Sequence, residues 1–147
     1  MKISNAELLR YSKQIILKQI GITGQKKISS IKVLIVGVGG LGCPLALYLA
    51  NTGVGTIGIV DNDKIDMSNL NRQILFNTKD IGKYKVVQAK KFLNKTNKKI
   101  KINIYKDRLT KQNIEKILKK YDIICDCSDN FTTRYLLNNF CFKKKKY

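Results

Sequence analysis

Long hydrophobic runs are missing from the 147 residues, and none approaches the ~18 apolar residues that a membrane-spanning helix needs. The first residues, MKISNAELLRYSKQ, have no apolar region after the lysine, whereas a secretory signal would have one. We therefore expect a cytoplasmic protein with no membrane partner.

Paired C-x-x-C motifs are also missing. The four cysteines, Cys43, Cys125, Cys127 and Cys141, have the spacing of neither a zinc site nor a disulfide framework. They are most simply small core residues in a reducing compartment.

Acidic residues are scarce: the sequence has 10 Asp and Glu residues and 29 Lys and Arg residues, which gives a net charge of +19. Such a charge raises the possibility of nucleic-acid binding. Only four of the basic residues are Arg, however, and the lysines are scattered through every segment and are not grouped with aromatic residues. We interpret the charge as a solvated surface that favours anionic ligands, and expect no nucleic-acid partner.

Strand-like and helix-like segments alternate along the chain. Residues 5–19 predict an amphipathic helix capped by Ser4 or Asn5 and broken by GITGQ, so residues 1–30 are expected to form an N-terminal helical arm. Residues 31–147 then predict an α/β, Rossmann-like, doubly wound and mostly parallel sheet with helices on both faces. The predicted strands cover 31–37, 56–61, 101–106 and 121–129, and the predicted helices cover 40–51, 83–96, 110–121 and 130–142. Residues 64–82 have no sustained period and predict a functional loop.

A glycine-rich turn joins the first strand to its helix. The stretch VLIVGVGGLG carries Gly37, Gly39 and Gly42 at the spacing G-x-G-x-x-G, which lets the backbone approach a pyrophosphate at a helix N-terminus. Asp61 ends the second strand 24 positions after Gly37, where a carboxylate accepts ribose hydroxyls. The pattern indicates an adenine nucleotide without separating NAD from ATP, and a turn that serves packing alone is the alternative.

Polar residues beyond the second and fourth strands favour ATP. Asn69 and Arg72, in SNLNRQ, and Lys85 offer donors to phosphate oxygens. Asp129, in CSDN, follows the last strand, where a carboxylate could hold Mg²⁺, cap the next helix, or do both. Cations and a metal-holding carboxylate around phosphates suit nucleotidyl transfer better than hydride transfer.

The motifs RYSKQI, GVGGLGCP, LANTGVGTIGIVD, SNLNRQILF and DCSDN, with the K-x-K approach to Lys85, occur in the order typical of one family. The chain resembles the E1-like adenylyltransferases of the ThiF/MoeB/HesA type along essentially its whole length, and PLALYLANTGVGTI and RQILFNTKDIG look closer to the thiamine-pathway type. The resemblance implies a homodimer that uses ATP and Mg²⁺ to adenylate the C-terminal glycine of a ubiquitin-like sulfur carrier ending in Gly-Gly, for thiamine or molybdopterin biosynthesis.

The same resemblance implies roles for individual residues. Arg72, Lys85, Asp129 and Lys13 are the implied catalytic residues, with Asp129 also the metal ligand. The implied nucleotide-binding residues are Gly37, Gly39, Gly40, Gly42, Asp61, Asp63, Ser68, Asn69, Arg72, Gln73, Lys85, Asp129 and Asn130.

Three features depart from the family pattern. Lys13 stands where an arginine of the R-Y-x-R-Q motif is expected to reach the neighbouring subunit's ATP site, and lysine keeps the charge but loses the guanidinium fork. Tyr84 replaces a common proline. The sequence ends at KKKKY, roughly where the family continues into further strands and two zinc-binding C-x-x-C pairs, so we expect the C-terminal half of the family domain, and its zinc, to be absent. Two other functions remain as alternatives to an active adenylyltransferase. One is a catalytically incompetent nucleotide-binding fragment that needs a partner chain, and the other, less favoured, is an NAD-binding dehydrogenase.

Overall fold

The fold is built from short strands that alternate with helices. The computed structural model describes residues 3–147. In that part of the chain the helices are α1 (Asn5–Arg10), α2 (Ser12–Ile15), α3 (Gly21–Ser30), α4 (Gly42–Thr52), α5 (Lys85–Thr96), α6 (Ile114–Leu118) and α7 (Phe131–Lys144). The strands are β1 (Lys32–Val36), β2 (Thr56–Val60), β3 (Lys101–Tyr105) and β4 (Ile123–Asp126). None of these helices combines the length and the apolar character needed to cross a bilayer.

The four strands form one parallel sheet in the order β3-β2-β1-β4. In the register, Leu34 of β1 lies between Gly58 of β2 and Ile124 of β4. The chain builds outward from β1 to β3 and then crosses back to add β4 on the other side of β1. This reversal creates a crevice at the carboxyl ends of β1 and β4, where doubly wound sheets bind ligands. The predicted fold class is confirmed.

Alternate residues of each strand face two separate cores. Val33 and Ile35 point to the face covered by α4 and α5, whereas Leu34 and Val36 point to the face covered by α6 and α7. All four are almost fully buried, and burying a side chain of this size contributes about 1.5–3 kcal/mol. Because helices cover both faces of the sheet, the strand sequences are continuous apolar runs.

The N-terminal segment differs from its predicted form. Ser4 caps α1 through a capping box with Glu7, as predicted, but the helix predicted over 5–19 is divided between α1 and α2. The prediction that GITGQ interrupts helical structure is wrong, because α3 begins at Gly21 and includes this stretch. Tertiary packing outweighs the low helix propensity of its glycines, since Gln25 is fully buried and its Nε2 donates to the Thr52 carbonyl at 3.1 Å.

Tyr11 anchors this segment to the rest of the fold. Its ring is buried against Gly53, where a β-carbon would lie 2.5 Å from Tyr11 Cζ and where φ is +83°. Its hydroxyl accepts a 3.0 Å hydrogen bond from Nδ2 of buried Asn97, which also donates to the Ala50 carbonyl at 2.8 Å. Only glycine satisfies both the backbone conformation and the close approach at Gly53.

The segment predicted as a loop, residues 64–82, is irregular but well packed. It contains two 3₁₀ turns, Met67–Asn69 and Thr78–Asp80. Ile65, Leu75 and Phe76 are buried in the core beneath α4 and α5, so the loop has a fixed position over the glycine-rich turn.

Candidate functional site

A cavity of about 970 Å³ lies at the carboxyl edge of the sheet. Its walls come from the turn after β1, the segment after β2, the loop containing Arg72, the residues after β3 and the start of α7, with Lys85 at the base of α5. This volume is at the upper end of the range for sites that hold drug-sized molecules or cofactors.

The glycine-rich turn forms one wall of the cavity. Gly37 has φ of +88°, and a β-carbon on it would lie 2.8 Å from the Cys127 carbonyl oxygen. The backbone N–H groups of Gly39, Gly40 and Leu41 donate to no acceptor within residues 3–147, and α4 begins directly after them. Free N–H groups at the positive end of a helix form an anion-binding site.

Gly42 has a different position from the other glycines of the motif. It does not line the cavity, and a β-carbon on it would lie 2.0 Å from the Gly37 carbonyl oxygen. Its absent side chain lets α4 pack tightly against the turn.

Asp61 joins the end of β2 to the glycine-rich turn. Its Oδ2 accepts from the Val38 N–H at 2.9 Å, and its Oδ1 accepts from the Asp63 N–H at 2.8 Å. Burial raises the pKa of this carboxyl above its ordinary value, against the effect of both hydrogen bonds and of nearby Lys85. Each oxygen retains lone pairs, so the group remains able to accept ribose hydroxyls.

Arg72 and Gln73 lie over the glycine-rich turn. The Arg72 stem passes 3.4 Å from where a Gly40 β-carbon would be, and its Nη1 donates to the Ser68 carbonyl at 2.9 Å. Its Nη2 and Nε have no acceptor within the described chain. Gln73 is 3% exposed, its Oε1 has no partner there, and its Nε2 lies 3.7 Å from where a Gly39 β-carbon would be. The Arg72 guanidinium and the Gln73 side-chain amide therefore place N–H donors beside the glycine-rich turn.

Ser68 and Asn69 are engaged in the turn that carries Arg72. Asn69 Oδ1 accepts from the Asp66 N–H at 3.3 Å, and the Ser68 hydroxyl donates to Asp66 Oδ1 at 2.7 Å. The Ser68 hydrogen bonds hold the pKa of the Asp66 carboxyl below its usual value. Asn69 lines the cavity but Ser68 does not, so of these two predicted site residues the structure brings only Asn69 to the cavity.

Lys85 begins α5 and is 6% exposed. Its Nζ lies 2.9 Å from Asp63 Oδ2, and its backbone N–H donates to the Asp63 carbonyl at 3.0 Å. A buried ammonium is costly without an acceptor, and Asp63 is the one acceptor of Nζ among residues 3–147.

Asp129 projects from the loop between β4 and α7. It is exposed and lines the cavity. Asn130, not Asp129, caps α7, since its Oδ1 accepts from the Thr133 N–H at 2.9 Å. Among the described residues the Asp129 carboxylate accepts only a 3.5 Å hydrogen bond from Asn130 Nδ2, so it is available to a ligand.

Sequence reasoning missed five charged residues of the cavity: Lys64, Asp66, Asp107, Arg108 and Arg134. Asp107 and Arg108 follow the end of β3 closely, the same signal that identified Asp61 after β2. Arg134 lies in the first turns of α7, and its Nη2 donates to the Ser128 carbonyl at 3.0 Å, so it braces the loop that presents Asp129.

Lys13 is the one predicted catalytic residue that the structure does not bring to the cavity. It lies exposed on α2 and does not line the cavity. The resemblance assigned it to a neighbouring subunit's site, so this position leaves its role a prediction.

Known proteins match this chain over nearly its whole length. The chain is 48% identical over 145 residues to the adenylyltransferase and sulfurtransferase MOCS3 of Culex quinquefasciatus, covering 99% of this chain and 33% of that protein. It is 47% identical over 137 residues to the adenylyltransferase and sulfurtransferase UBA4 of Debaryomyces hansenii, covering 92% and 31%. The chain thus spans about a third of the length of these relatives.

Two solved structures share the fold. One is the E. coli tRNA N6-threonylcarbamoyladenosine dehydratase TcdA in complex with ATP, with a TM-score of 0.92, 25% identity, and coverage of 99% of this chain and 60% of that one. The other is E. coli MccB with ATP, with a TM-score of 0.84, 31% identity, and coverage of 93% and 42%. The sequence profile of the ThiF family matches residues 11–147, and the chain belongs to that family.

Proposed function

We propose that this chain carries the nucleotide site of an ATP-dependent adenylyltransferase that activates the C-terminal glycine of a ubiquitin-like sulfur carrier. The observation that carries the proposal is the convergence of free N–H groups, Arg72, Lys85 and Asp129 on one cavity beside Asp61. The names of the MOCS3 and UBA4 relatives and the ATP-bound structures of TcdA and MccB support it.

In the proposed complex the nucleotide lies across the carboxyl edge of the sheet. Asp61 accepts the ribose hydroxyls, and the N–H groups of Gly39 and Gly40 donate to phosphate oxygens. Gln73 Nε2 and the free guanidinium N–H groups of Arg72 add donors from above.

The reaction forms one bond and breaks one. A carboxylate oxygen of the carrier's terminal glycine attacks the α-phosphorus, and the bond from that phosphorus to the oxygen bridging to the β-phosphate breaks. The electron pair leaves with pyrophosphate, and the carrier becomes an acyl-adenylate. Arg72 and Lys85 stabilise the negative charge that develops on the phosphate oxygens, which is the main demand in this class of reaction.

Mg²⁺ is the metal that the proposal implies. Within residues 3–147 no group of three or more acidic, Cys or His side chains could hold an ion by itself. Mg²⁺ is usually held by one or two carboxylates together with substrate phosphates, so the exposed Asp129 carboxylate at the cavity fits it. Asp129 would hold the ion, which would neutralise phosphate charge.

Two features of the proposal concern partners. The carrier ends in Gly-Gly and belongs to the thiamine type or the molybdopterin type, and the names of the relatives do not separate the two. The second partner is another copy of this chain, whose Lys13 would supply a cation to the site.

ATP–pyrophosphate exchange tests this function. The 147-residue chain is incubated with Mg·ATP, labelled pyrophosphate and a carrier that ends in Gly-Gly, with the same carrier lacking its last glycine as the control. We expect exchange with the intact carrier only. Equal exchange with both carriers, or none with either, would contradict the proposal.

The second candidate function is a nucleotide-binding unit that is inactive without another polypeptide. Its support is that the relatives are about three times as long as this chain. It predicts ATP binding by calorimetry without exchange, and exchange that appears once the remainder of a full-length relative is supplied as a separate chain.

A further inference from the structure

The ion pair between Asp63 and Lys85 places a carboxylate beside a lysine that is proposed to contact phosphates. Asp63 places a negative charge in the cavity that is proposed to hold a triphosphate. Its side chain is 59% exposed, whereas that of Lys85 is 8% exposed. A carboxylate in this position repels phosphate groups, so its presence needs a reason other than direct phosphate binding.

The backbone around Asp63 holds this carboxylate in position. The Asp63 N–H donates to Asp61 Oδ1 at 2.8 Å, and the Asp63 carbonyl accepts from the Lys85 N–H at 3.0 Å. Asp61 in turn accepts from the Val38 N–H in the glycine-rich turn. Asp63 is therefore fixed relative to both the turn and the start of α5, with its carboxylate on the Lys85 ammonium.

We propose that Asp63 is not a nucleotide ligand but the counter-ion of Lys85 in the empty site. A polyphosphate that binds must draw the Lys85 ammonium away from Asp63, and the ammonium returns to Asp63 when pyrophosphate leaves. The inference rests on the proposed function only in placing the phosphates of the nucleotide at the glycine-rich turn. Asp63 thus lowers the affinity of the site for ATP and pyrophosphate and speeds product release. AMP, which lacks the β- and γ-phosphates, does not recruit Lys85 and is unaffected.

The test is calorimetric titration of the full chain with Mg·ATP, pyrophosphate and AMP. Asp63→Asn removes the charge and preserves the shape of the side chain. We expect it to tighten binding of Mg·ATP and pyrophosphate about threefold to tenfold, the scale of a partly exposed ion pair plus the removed repulsion, and to leave AMP unchanged. Asp63→Glu, which restores the charge, should return both affinities toward the wild-type values.

Two further variants identify the route of the effect. In a Lys85→Met background, Asp63→Asn should lose the part of its effect on the ratio of ATP to AMP affinity that comes from competition for the ammonium, and should keep only the part that comes from direct repulsion of the phosphates. Asp107→Asn is the matched control: it removes one carboxylate charge from the same cavity, where Asp107 forms no ion pair within residues 3–147.

Several outcomes would overturn the inference. Weaker Mg·ATP binding by Asp63→Asn would make Asp63 a direct ligand, and an equal gain by Asp107→Asn would reduce the effect to the general field of the cavity. The comparison of Asp63→Asn with Asp63→Glu decides the matter even if the Lys85 variant does not fold. Because these titrations need no carrier, a chain that binds ATP but shows no exchange would refute the proposed function and leave this inference intact.

Discussion

Replacing Asp61 by Ala tests whether one side chain supports both the fold and the nucleotide site. The substitution removes the acceptor of two backbone N–H groups, those of Val38 and Asp63. Val38 is fully buried, whereas Asp63 is exposed. Water can therefore replace the Asp61 carboxylate as the acceptor for the Asp63 N–H. The buried N–H of Val38 is left without an acceptor.

The expected magnitude follows from this asymmetry. A buried donor left without its acceptor costs about 1–3 kcal/mol. Burial of the Asp61 carboxylate carries a desolvation cost, as its raised pKa indicates. Removing the carboxylate removes that cost and offsets part of the loss. We therefore expect a net loss of about 1–2 kcal/mol, which lowers the Tm of a chain of this size by about 5 °C.

The pH dependence of the same variant has a definite sign. Because the folded state raises the pKa of Asp61 above 3.8, the stability contribution of this group is largest at low pH and is lost as the pH rises through the raised pKa. Ala cannot titrate, so the Tm gap between wild type and variant should narrow from acid to neutral pH.

Thermal unfolding followed by circular dichroism, with and without Mg·ATP, measures these effects. Asp107→Ala, an exposed carboxylate of the same cavity with no hydrogen bond within residues 3–147, is the control and should leave the Tm nearly unchanged. Mg·ATP at about 100 times its Kd should stabilise the wild type by about 2.7 kcal/mol and the Asp61 variant by much less. An Asp61→Ala protein with wild-type Tm and the full ATP shift would refute the reasoning.

Two further predictions concern catalysis and thiol chemistry. Arg72→Ala should reduce carrier-dependent exchange by about 10²–10³-fold and weaken ATP binding by a smaller factor, because its free N–H groups are proposed to act most strongly on the charge that develops in the transition state. Exchange at the wild-type rate would remove Arg72 from the mechanism. Cys127 lines the cavity, and burial raises the pKa of its thiol to about 11, so its alkylation by iodoacetamide should be slow at pH 8 and accelerate toward pH 11, since the thiolate is the reactive form. Mg·ATP should slow that alkylation further, and fast labelling at pH 8 that ATP does not change would contradict the placement of Cys127.

Much of the fold was predictable because its signals are local. The β-branched runs of β1 and β2, the glycine turn and the periodic pattern of α5 each specify their own conformation. The exceptions lie in the N-terminal segment, where the helix predicted over 5–19 is divided between α1 and α2 and the glycines of α3 predicted a break. Helix α3 is stabilised by contacts such as Gln25 with the Thr52 carbonyl, which join residues far apart in the chain.

The site was predictable to the extent that parallel strands bring their carboxyl ends to one edge. Asp61, Asp129 and the turn containing Gly39 meet at the cavity for this reason. The same rule applied to β3 would have found Asp107 and Arg108. No local pattern assigned the cap of α7 to Asn130 in preference to Asp129, because Asn and Asp are about equally favoured at the N-cap position of a helix, and the structure shows that Asn130 accepts from the Thr133 N–H.

The sequence by itself determined the order of strands and helices, the phosphate-binding turn and the chemical types of the residues around it, since each depends on neighbours along the chain. The tertiary structure alone decided which of those residues share a cavity and which pair with one another. It left Ser68 and Lys13 outside the cavity lining, added Arg134 and joined Asp63 to Lys85. These outcomes depend on distances between side chains from separate elements, and the packing of α4, α5 and α7 around the sheet sets those distances.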